Sequence, residues 1–398
     1  MRRLLRVSLR LLGIVPLWIV WLVISCVPRR RELWLFGAWN GRKFIDNPKY
    51  IYREALTRHP EIQAMWVAKD QRLFEDMRRR GLPVVLARSP RGVWAQLRAG
   101  AVIFTHSAEW DFDALWLGWP VRRIQTWHGM PIKRIGYDND KDWQPQLRAR
   151  ITTLLWPYRN DRAHLILAAA DVDAVTYRRA FNVEPQDVVL TGYPRNDLLA
   201  ASRSLTSRRD RLRVIYMPTL RGTPGSAFPL LSEGGFDFQT VDLELARLGI
   251  DLFIKAHPVQ RFCEADEGHF AAARHIYRHT GESDIYEELG DFDALITDYS
   301  GIYFDFLLTE RPIIMAPFDL NQYLSSDRGL YFQYDDICPD SPCVDWKTVL
   351  QRLASLREKI GKPPHERYRA LLNRFHRYTD DGSSARAISA IKLRVGLQ

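Results

Sequence analysis

Two histidines stand at the ends of apolar runs with cations close by: His128 in "RRIQTWHGMPIKRIG" and His257 in "LFIKAHP". Gly129 lets the chain turn sharply after the first, with Lys133 and Arg134 following, and Lys255 precedes the second. A neutral imidazole accepts a hydroxyl proton near pH 7, and nearby cations offset charge developing on a departing phosphate. Either histidine alone suits a packing role. The same arrangement in both halves of the chain is what points to chemistry.

Other polar motifs fit the same chemistry. "YMPTLRG" places Pro218, Thr219 and Arg221 after an apolar run, and a hydroxyl, an arginine and free backbone N–H groups are phosphate-binding equipment. "TGYPRNDLL" supplies Arg195, with Asn196 and Asp197 also readable as a turn and helix cap. "ITDYSGIYFDF" puts Asp298, Ser300 and Gly301 at a helix start, where N–H groups attract anions, and Asp305 a turn later to face ribose or glycerol hydroxyls. Neither a P-loop nor a G-x-G-x-x-G fingerprint occurs, and no cofactor is called for. Neither histidine has the spacing of a paired metal ligand, and Cys26, Cys263, Cys338 and Cys343 form no C-x-x-C pair.

The elements that must hold these residues alternate. "ELWLFGAW", "IQAMWVAK", "LPVVLAR", "AVIFTHS" and "RRIQTWHG" read as strands between helix-like stretches at Tyr50 to Arg58, "QRLFEDMRRR" and "GVWAQLRAG". The pattern restarts with "RVIYMPT", "IDLFIKAHP", "FDALITDYS" and "RPIIMAPF" as strands, and "DLELARLG", "DIYEELGD" and "GIYFDFLLTE" as helices. Such alternation predicts parallel α/β sheets. The polar, basic "ASRSLTSRRDRLR" is the predicted linker, dividing a domain over 32–200 from one over 201–398. Tandem α/β domains are expected to hold ligand in a cleft at the carboxyl ends of their strands.

Residues 1–31 differ in kind: Leu11 to Val27 carries no charge, and arginines crowd both flanks. The run is slightly short for a perpendicular span of ~20 residues, and Trp18 and Trp21 suit an interface. A membrane-anchoring helix is expected, either spanning or lying in the surface; an apolar helix packed on the protein's own core is the alternative. The net charge of +10 implies an anionic partner, be it membrane surface, nucleic acid or phosphorylated substrate. No nucleic-acid motif is present, which sets that partner aside.

Taken together and in order, "GRKFIDNPKYIY", "TWHGMPIKRIG", "TGYPRNDLL", "YMPTLRG", "KAHP" and "ITDYSGIYFDFLLTERPII" resemble the CDP-glycerol glycerophosphotransferase family of teichoic-acid and capsule synthesis. The resemblance implies a GT-B-like fold of two Rossmann-type domains, acting at the cytoplasmic face of the cell membrane as a peripheral or singly anchored protein. It implies transfer of glycerol phosphate from CDP-glycerol to a lipid-linked acceptor, with release of CMP. His128 and His257 match the family's essential histidines. Gly129, Met130, Pro131, Ile132, Arg195, Pro218, Thr219, Lys255, Ala256, Ser300, Gly301 and Asp305 match donor-binding segments, to which the residue reading adds Arg221 and Asp298. Two departures, Met130 where the family has Thr and Gly301 where it has Ser, fall within those segments and bear on whether glycerol, ribitol or another polyol phosphate is carried. Chain size and anchor resemble members that add a single unit.

The expected reaction is attack by an acceptor hydroxyl on the glycerol-bearing phosphorus, with His128 as base. His257, Lys255, Arg195 and the Ser300–Gly301 helix start would stabilise the leaving CMP, and the two histidines are interchangeable in these roles. The alternatives are a GT-B glycosyltransferase using a nucleotide sugar and a non-enzymatic basic module that binds membrane or nucleic acid.

Overall fold

A computed structural model describes residues 14–139, 151, 154–159, 162–203, 209–221, 226, 234–257, 260, 262–281, 284–326 and 329–398. The chain forms two α/β units. The first comprises 1–128, 136–195 and 382–398, and the second 129–135 and 196–381.

The first unit is built on strands β1 (Arg30–Phe36), β2 (Gln63–Ala68), β3 (Val84–Leu86), β4 (Ala99–Phe104), β5 (Arg122–Gln125), β6 (Leu165–Ala168) and β7 (Val188–Leu190). They form one sheet in the order β3-β2-β1-β4-β5-β6-β7, with every pairing parallel. Both faces are covered, which is why residues 33–36 of β1 read as a continuous apolar run rather than an alternation. Trp34 and Phe36 pack with Ile51 and Tyr52 of helix Asp46–Arg58, while Leu33 and Leu35 pack with Ala95 and Phe112 on the other face. Helix starts carry their own caps: Asp70 accepts from Leu73 N and Ser89 from Gly92 N.

The second unit carries β8 (Leu212–Met217), β9 (Ile250–Ile254), β10 (Ile276–Arg278), β11 (Ala294–Thr297) and β12 (Ile313–Met315). Their order is β10-β9-β8-β11-β12, again all parallel. In each sheet the strand order reverses once, between β1 and β4 and between β8 and β11. Ligands of open parallel sheets bind beyond the carboxyl ends of strands at such reversals.

The division differs from a single break after residue 200. Helix Ser383–Val395 returns to the first unit because its apolar face, Ala387, Ile388 and Ile391, completes that core. Gly129–Ile135 belongs with the second unit, pairing Lys133 with Leu330 as an isolated bridge. Residues 204–208 of the expected linker lie outside the described residues.

The described part of the N-terminal segment contains a helix of 12 residues, Ile14–Ser25. Among the described residues no helix is long and apolar enough to cross a membrane. Trp21 and Ile24 are buried against the first unit, with Trp21 edge-on to Trp119 and Trp18 Nε1 donating to the Leu154 carbonyl, while Ile19, Val20, Leu22 and Val23 face solvent. The alternative of packing on the protein's own core therefore holds for one face only. Arg2, Arg3, Arg6 and Arg10 lie outside the described residues.

Candidate functional site

In the first unit the site begins where β5 ends. Trp127 takes a left-handed conformation with φ 52°, and Gly129, at φ 111°, supplies the freedom that follows. A non-glycine residue is held there only when its surroundings over-determine it. Asn47 does so, its Nδ2 donating to the carbonyls of Thr126 (3.3 Å) and Trp127 (3.1 Å). Thr126 Oγ1 also reaches the Phe104 carbonyl on β4 at 3.1 Å.

This turn packs the His128 ring against two others. His106, from the end of β4, stacks on it at 4.2 Å with a 23° interplanar angle, and the Trp127 ring lies 4.2 Å away on a tilt. His128 as a residue is half-buried, yet its Nδ1 is enclosed with no hydrogen-bond partner among the described residues. Burial, with lesser contributions from His106 and Arg195, holds the His128 pKa well below its ordinary value. His106 is also lowered by burial, with Asp46 opposing. The imidazole of His128 is thus neutral across physiological pH, the state a proton acceptor requires.

Arg195 was expected to meet phosphate. Instead it is buried, with Nη1 3.0 Å from Asp46 Oδ1 and its backbone N donating to Asn47 Oδ1 at 3.1 Å. Its charge is matched inside the protein, so it ties the "DNPKY" helix start to the loop after β7 and supports His128 from behind. Next to it, Tyr193 donates to Asp173 Oδ2 at 2.5 Å and bonds the Tyr177 hydroxyl, while burial pushes the Asp173 carboxyl up to about 6. At the reversal between β1 and β4, Asp111 accepts from Asn40 N (2.8 Å), Thr105 N (3.1 Å) and Thr105 Oγ1 (3.2 Å). Burial raises it, too, to about 6.

In the second unit, Asp298 at the end of β11 is the hub of the corresponding reversal. It is fully buried and accepts from Thr219 N (2.9 Å), Thr219 Oγ1 (2.5 Å), Tyr299 N (2.5 Å) and Arg221 Nη2 (2.7 Å). Arg221 also forks onto Asp319 through Nε and Nη2 at 2.7 and 2.8 Å. The expectation of Arg221 as a phosphate clamp meets a guanidinium already set between two carboxylates. Above it lie stacked rings: Tyr299 and Tyr323 at 3.9 Å, with the Lys133 ammonium 4.6 Å from the centre of Tyr323.

The other expected residues fall as follows. Pro218 is buried beside Thr219. Gly129, Met130, Pro131 and Ile132 are buried in the second unit, where the Ile132 carbonyl accepts from Tyr331 N at 2.8 Å. Gly301 sits against this segment, since a Cβ there would come 3.1 Å from the Met130 carbonyl. Ser300 is half-buried ahead of a helix of only five residues, Ile302–Phe306. Lys255, after β9, has its ammonium 3.3 Å from His279 Nδ1 and 3.2 Å from the Gly281 carbonyl, with Ala256 and half-buried His257 following. Asp305, expected to face ribose or glycerol hydroxyls, is turned inward. It is fully buried, accepting from Asn196 Nδ2 at 2.8 Å and the Tyr286 hydroxyl at 2.6 Å.

Sequence reasoning passed over Asp46, Asn47, His106 and Asp111. The signal for His106 was present, for it ends the apolar run "AVIFTHS" as His128 ends its own. Among the described residues no group of His, Cys, Asp or Glu could hold a metal ion.

A sequence profile of the CDP-glycerol:poly(glycerophosphate) glycerophosphotransferases matches residues 19–393. A teichoic acid glycerol-phosphate transferase of Staphylococcus aureus is 27% identical over 362 residues, 82% of this chain and 84% of that one. A teichoic acid poly(glycerol phosphate) polymerase of Bacillus spizizenii is 24% identical over 395 residues, 93% of this chain and 94% of that one. The wall teichoic acid polymerase TagF shares the fold, with a TM-score of 0.72 at 21% identity over 92% of this chain and 90% of that one. With the profile spanning both sheets and every motif around the two histidines, the chain belongs to the CDP-glycerol:poly(glycerophosphate) glycerophosphotransferase family.

Proposed function

We propose that this glycerophosphotransferase moves glycerol phosphate from CDP-glycerol to a lipid-linked saccharide or polyol-phosphate acceptor, in the synthesis of teichoic acid. The observation that carries the mechanism is the neutral His128 at the end of β5, stacked on His106. An acceptor hydroxyl attacks the phosphorus that bears glycerol. Its proton passes to His128, a new P–O bond forms, and the bond from that phosphorus to the oxygen shared with CMP breaks, CMP leaving with the electron pair. Lys255, His257 and the loops at Thr219 and Ser300 stabilise the leaving charge, a task of position and electrostatics.

Transfer from radiolabelled CDP-glycerol should fall at least 100-fold in His128→Ala and in His257→Ala, in keeping with loss of a general base or charge stabiliser. Rates near wild type in both variants would remove the reading. Donor choice is read by offering CDP-ribitol alongside. The chain matches most of both a transferase and a polymerase, so product mass is the measure of one unit against many.

We further infer attachment to an anionic membrane surface through the exposed apolar face of helix Ile14–Ser25. Exposed Arg30 and Arg31 follow that helix, and each basic residue near such a surface contributes about 1 kcal/mol. Leu22→Glu with Val23→Glu should release the protein from phosphatidylglycerol vesicles in a flotation assay; unchanged flotation refutes the attachment.

A further inference from the structure

The carboxyl edge of the first sheet holds a pocket of about 820 Å³, lined by Asn40, Arg42, Lys69, Arg88, Ser89 and Trp110 among others. An adjoining pocket of about 580 Å³ shares Lys69 and Arg88 and extends to Asp113, Trp116 and Tyr158. Both volumes are in the range of small-molecule sites. The first pocket collects the residues that follow β1, β2, β3 and β4, beside the reversal between β1 and β4.

Its chemistry suits a phosphorylated sugar. Arg42 has no hydrogen-bond or ion-pair partner for its guanidinium among the described residues, and its side chain is exposed. Lys69 is held in place by the carbonyls of Glu109 (3.3 Å) and Trp110 (2.7 Å). The lining carboxylates are already matched, Glu109 by Arg159 at 2.9 Å and Asp113 by Arg88 at 3.2 Å. Trp110, Trp116 and Tyr158 add flat apolar faces of the kind on which sugar rings lie.

Two connections say which ligand this is. Trp110 lies 6.0 Å from the ring of His106, which stacks on His128, so the pocket comes within one side chain of the proposed base. On its other side, the turns Ala114–Trp116 and Pro157–Arg159 that carry Trp116 and Tyr158 support helix Ile14–Ser25, whose Ser25 Oγ accepts from Trp119 N at 3.0 Å. Trp110 at one end thus leads through His106 to the base, and Trp116 and Tyr158 at the other end lie on turns that touch the apolar helix.

We propose that this pocket binds the acceptor headgroup, a saccharide phosphate or diphosphate whose lipid chain lies beside the exposed face of the helix. The assignment rests on the function proposed above and adds its second substrate site. Arg42 and Arg88 grip the phosphate, the aromatic side chains take the sugar, and the growing hydroxyl points toward His106 and His128.

The test uses the full chain in detergent with a farnesyl diphosphate-linked disaccharide as probe, binding being followed by calorimetry without donor. Arg42→Glu with Arg88→Glu should weaken probe binding at least 10-fold, with CDP-glycerol binding within twofold of wild type and melting within about 2 °C, since Arg88, 88% exposed, contributes little through its pair with Asp113. Arg42→Gln with Arg88→Gln should give a smaller loss in the same direction, separating removed charge from reversed charge. Equal binding by wild type and both variants, or no binding by wild type, overturns the site. Transfer is scored separately: a wild-type protein that binds probe yet transfers nothing from CDP-glycerol counts against the proposed reaction and leaves the pocket standing.

Discussion

Replacing Asp46 by Asn tests the support behind His128. The residue sits at φ 68°, a left-handed conformation that Asn adopts as readily as Asp, so the backbone is not the perturbation. What changes is charge and one acceptor. Asp46 Oδ1 receives Arg195 Nη1 at 3.0 Å and Asn47 N at 2.8 Å, and Oδ2 receives Trp39 Nε1 at 3.2 Å. The amide of Asn would turn a donor toward one of these donors and leave the guanidinium uncompensated, with side-chain exposures of 6% for Arg195 and 4% for Asp46. Breaking a buried pair from one side costs about 3–5 kcal/mol. At roughly 2–4 °C per kcal/mol for a unit of this size, melting should fall by roughly 6–20 °C. Asp46→Asn with Arg195→Met removes both charges while keeping a residue suited to the left-handed backbone, and should recover at least half of that loss. The single variant should also slow transfer, because an unmatched Arg195 depresses the basicity of His128 further. A melting change under about 2 °C for Asp46→Asn would refute the claim that this ion pair organises the site.

Asp173 gives a pH prediction. Burial raises its folded pKa to about 6, against roughly 3.9 unfolded, so its protonation favours the folded state: that stability is fully present below about pH 4 and lost as pH rises through 6. The stability difference between wild type and Asp173→Asn, from urea melts, should therefore shift in favour of wild type by up to about 3 kcal/mol between pH 7 and pH 4; a flat difference contradicts the raised pKa. Asp298→Asn should destabilise by about 1.5–3 kcal/mol, the range for a charge-assisted hydrogen bond, because Arg221 retains Asp319. Guanidinium unfolding measures this, and no loss would mean that Asp298 is not the hub. Gly92→Ala would place a Cβ 1.8 Å from the Leu86 carbonyl, so helix Pro90–Arg98 must shift; a loss of about 3 kcal/mol is expected in the same assay.

The strands were legible because both faces of each sheet are buried, which makes β1, β4 and β8 dense apolar runs with polar residues at their ends. β6, β7 and β10, four, three and three residues long, do not stand out in the sequence, although β3, β5 and β12 are as short and do. The histidines were visible for the same local reason as the strands. The residues that brace them were not, since Asp46 and Arg195 are 149 positions apart and nothing local marks either as the other's partner. A carboxylate one turn into a helix after "DYSG", as Asp305 is, looks available to ligand in the sequence. Its burial depends on Asn196 and Tyr286, contributed from distant segments.

Helix Ser383–Val395 has a consequence for the order in which the protein comes into being. Its residues Ala387, Ile388 and Ile391 fill the core beside helix Asp46–Arg58 and beneath β5 and β6, although they leave the ribosome last among the elements of that unit. The second unit, from 196 to 381, is synthesised in between. Domains of many chains fold one after another from the amino end as they emerge. Here the unit that begins first is completed last, holding an open apolar seam while the later unit has all its strands to hand. A nascent chain stalled before residue 383 should accordingly present chaperones with the seam beneath the first sheet, with the second unit already closed.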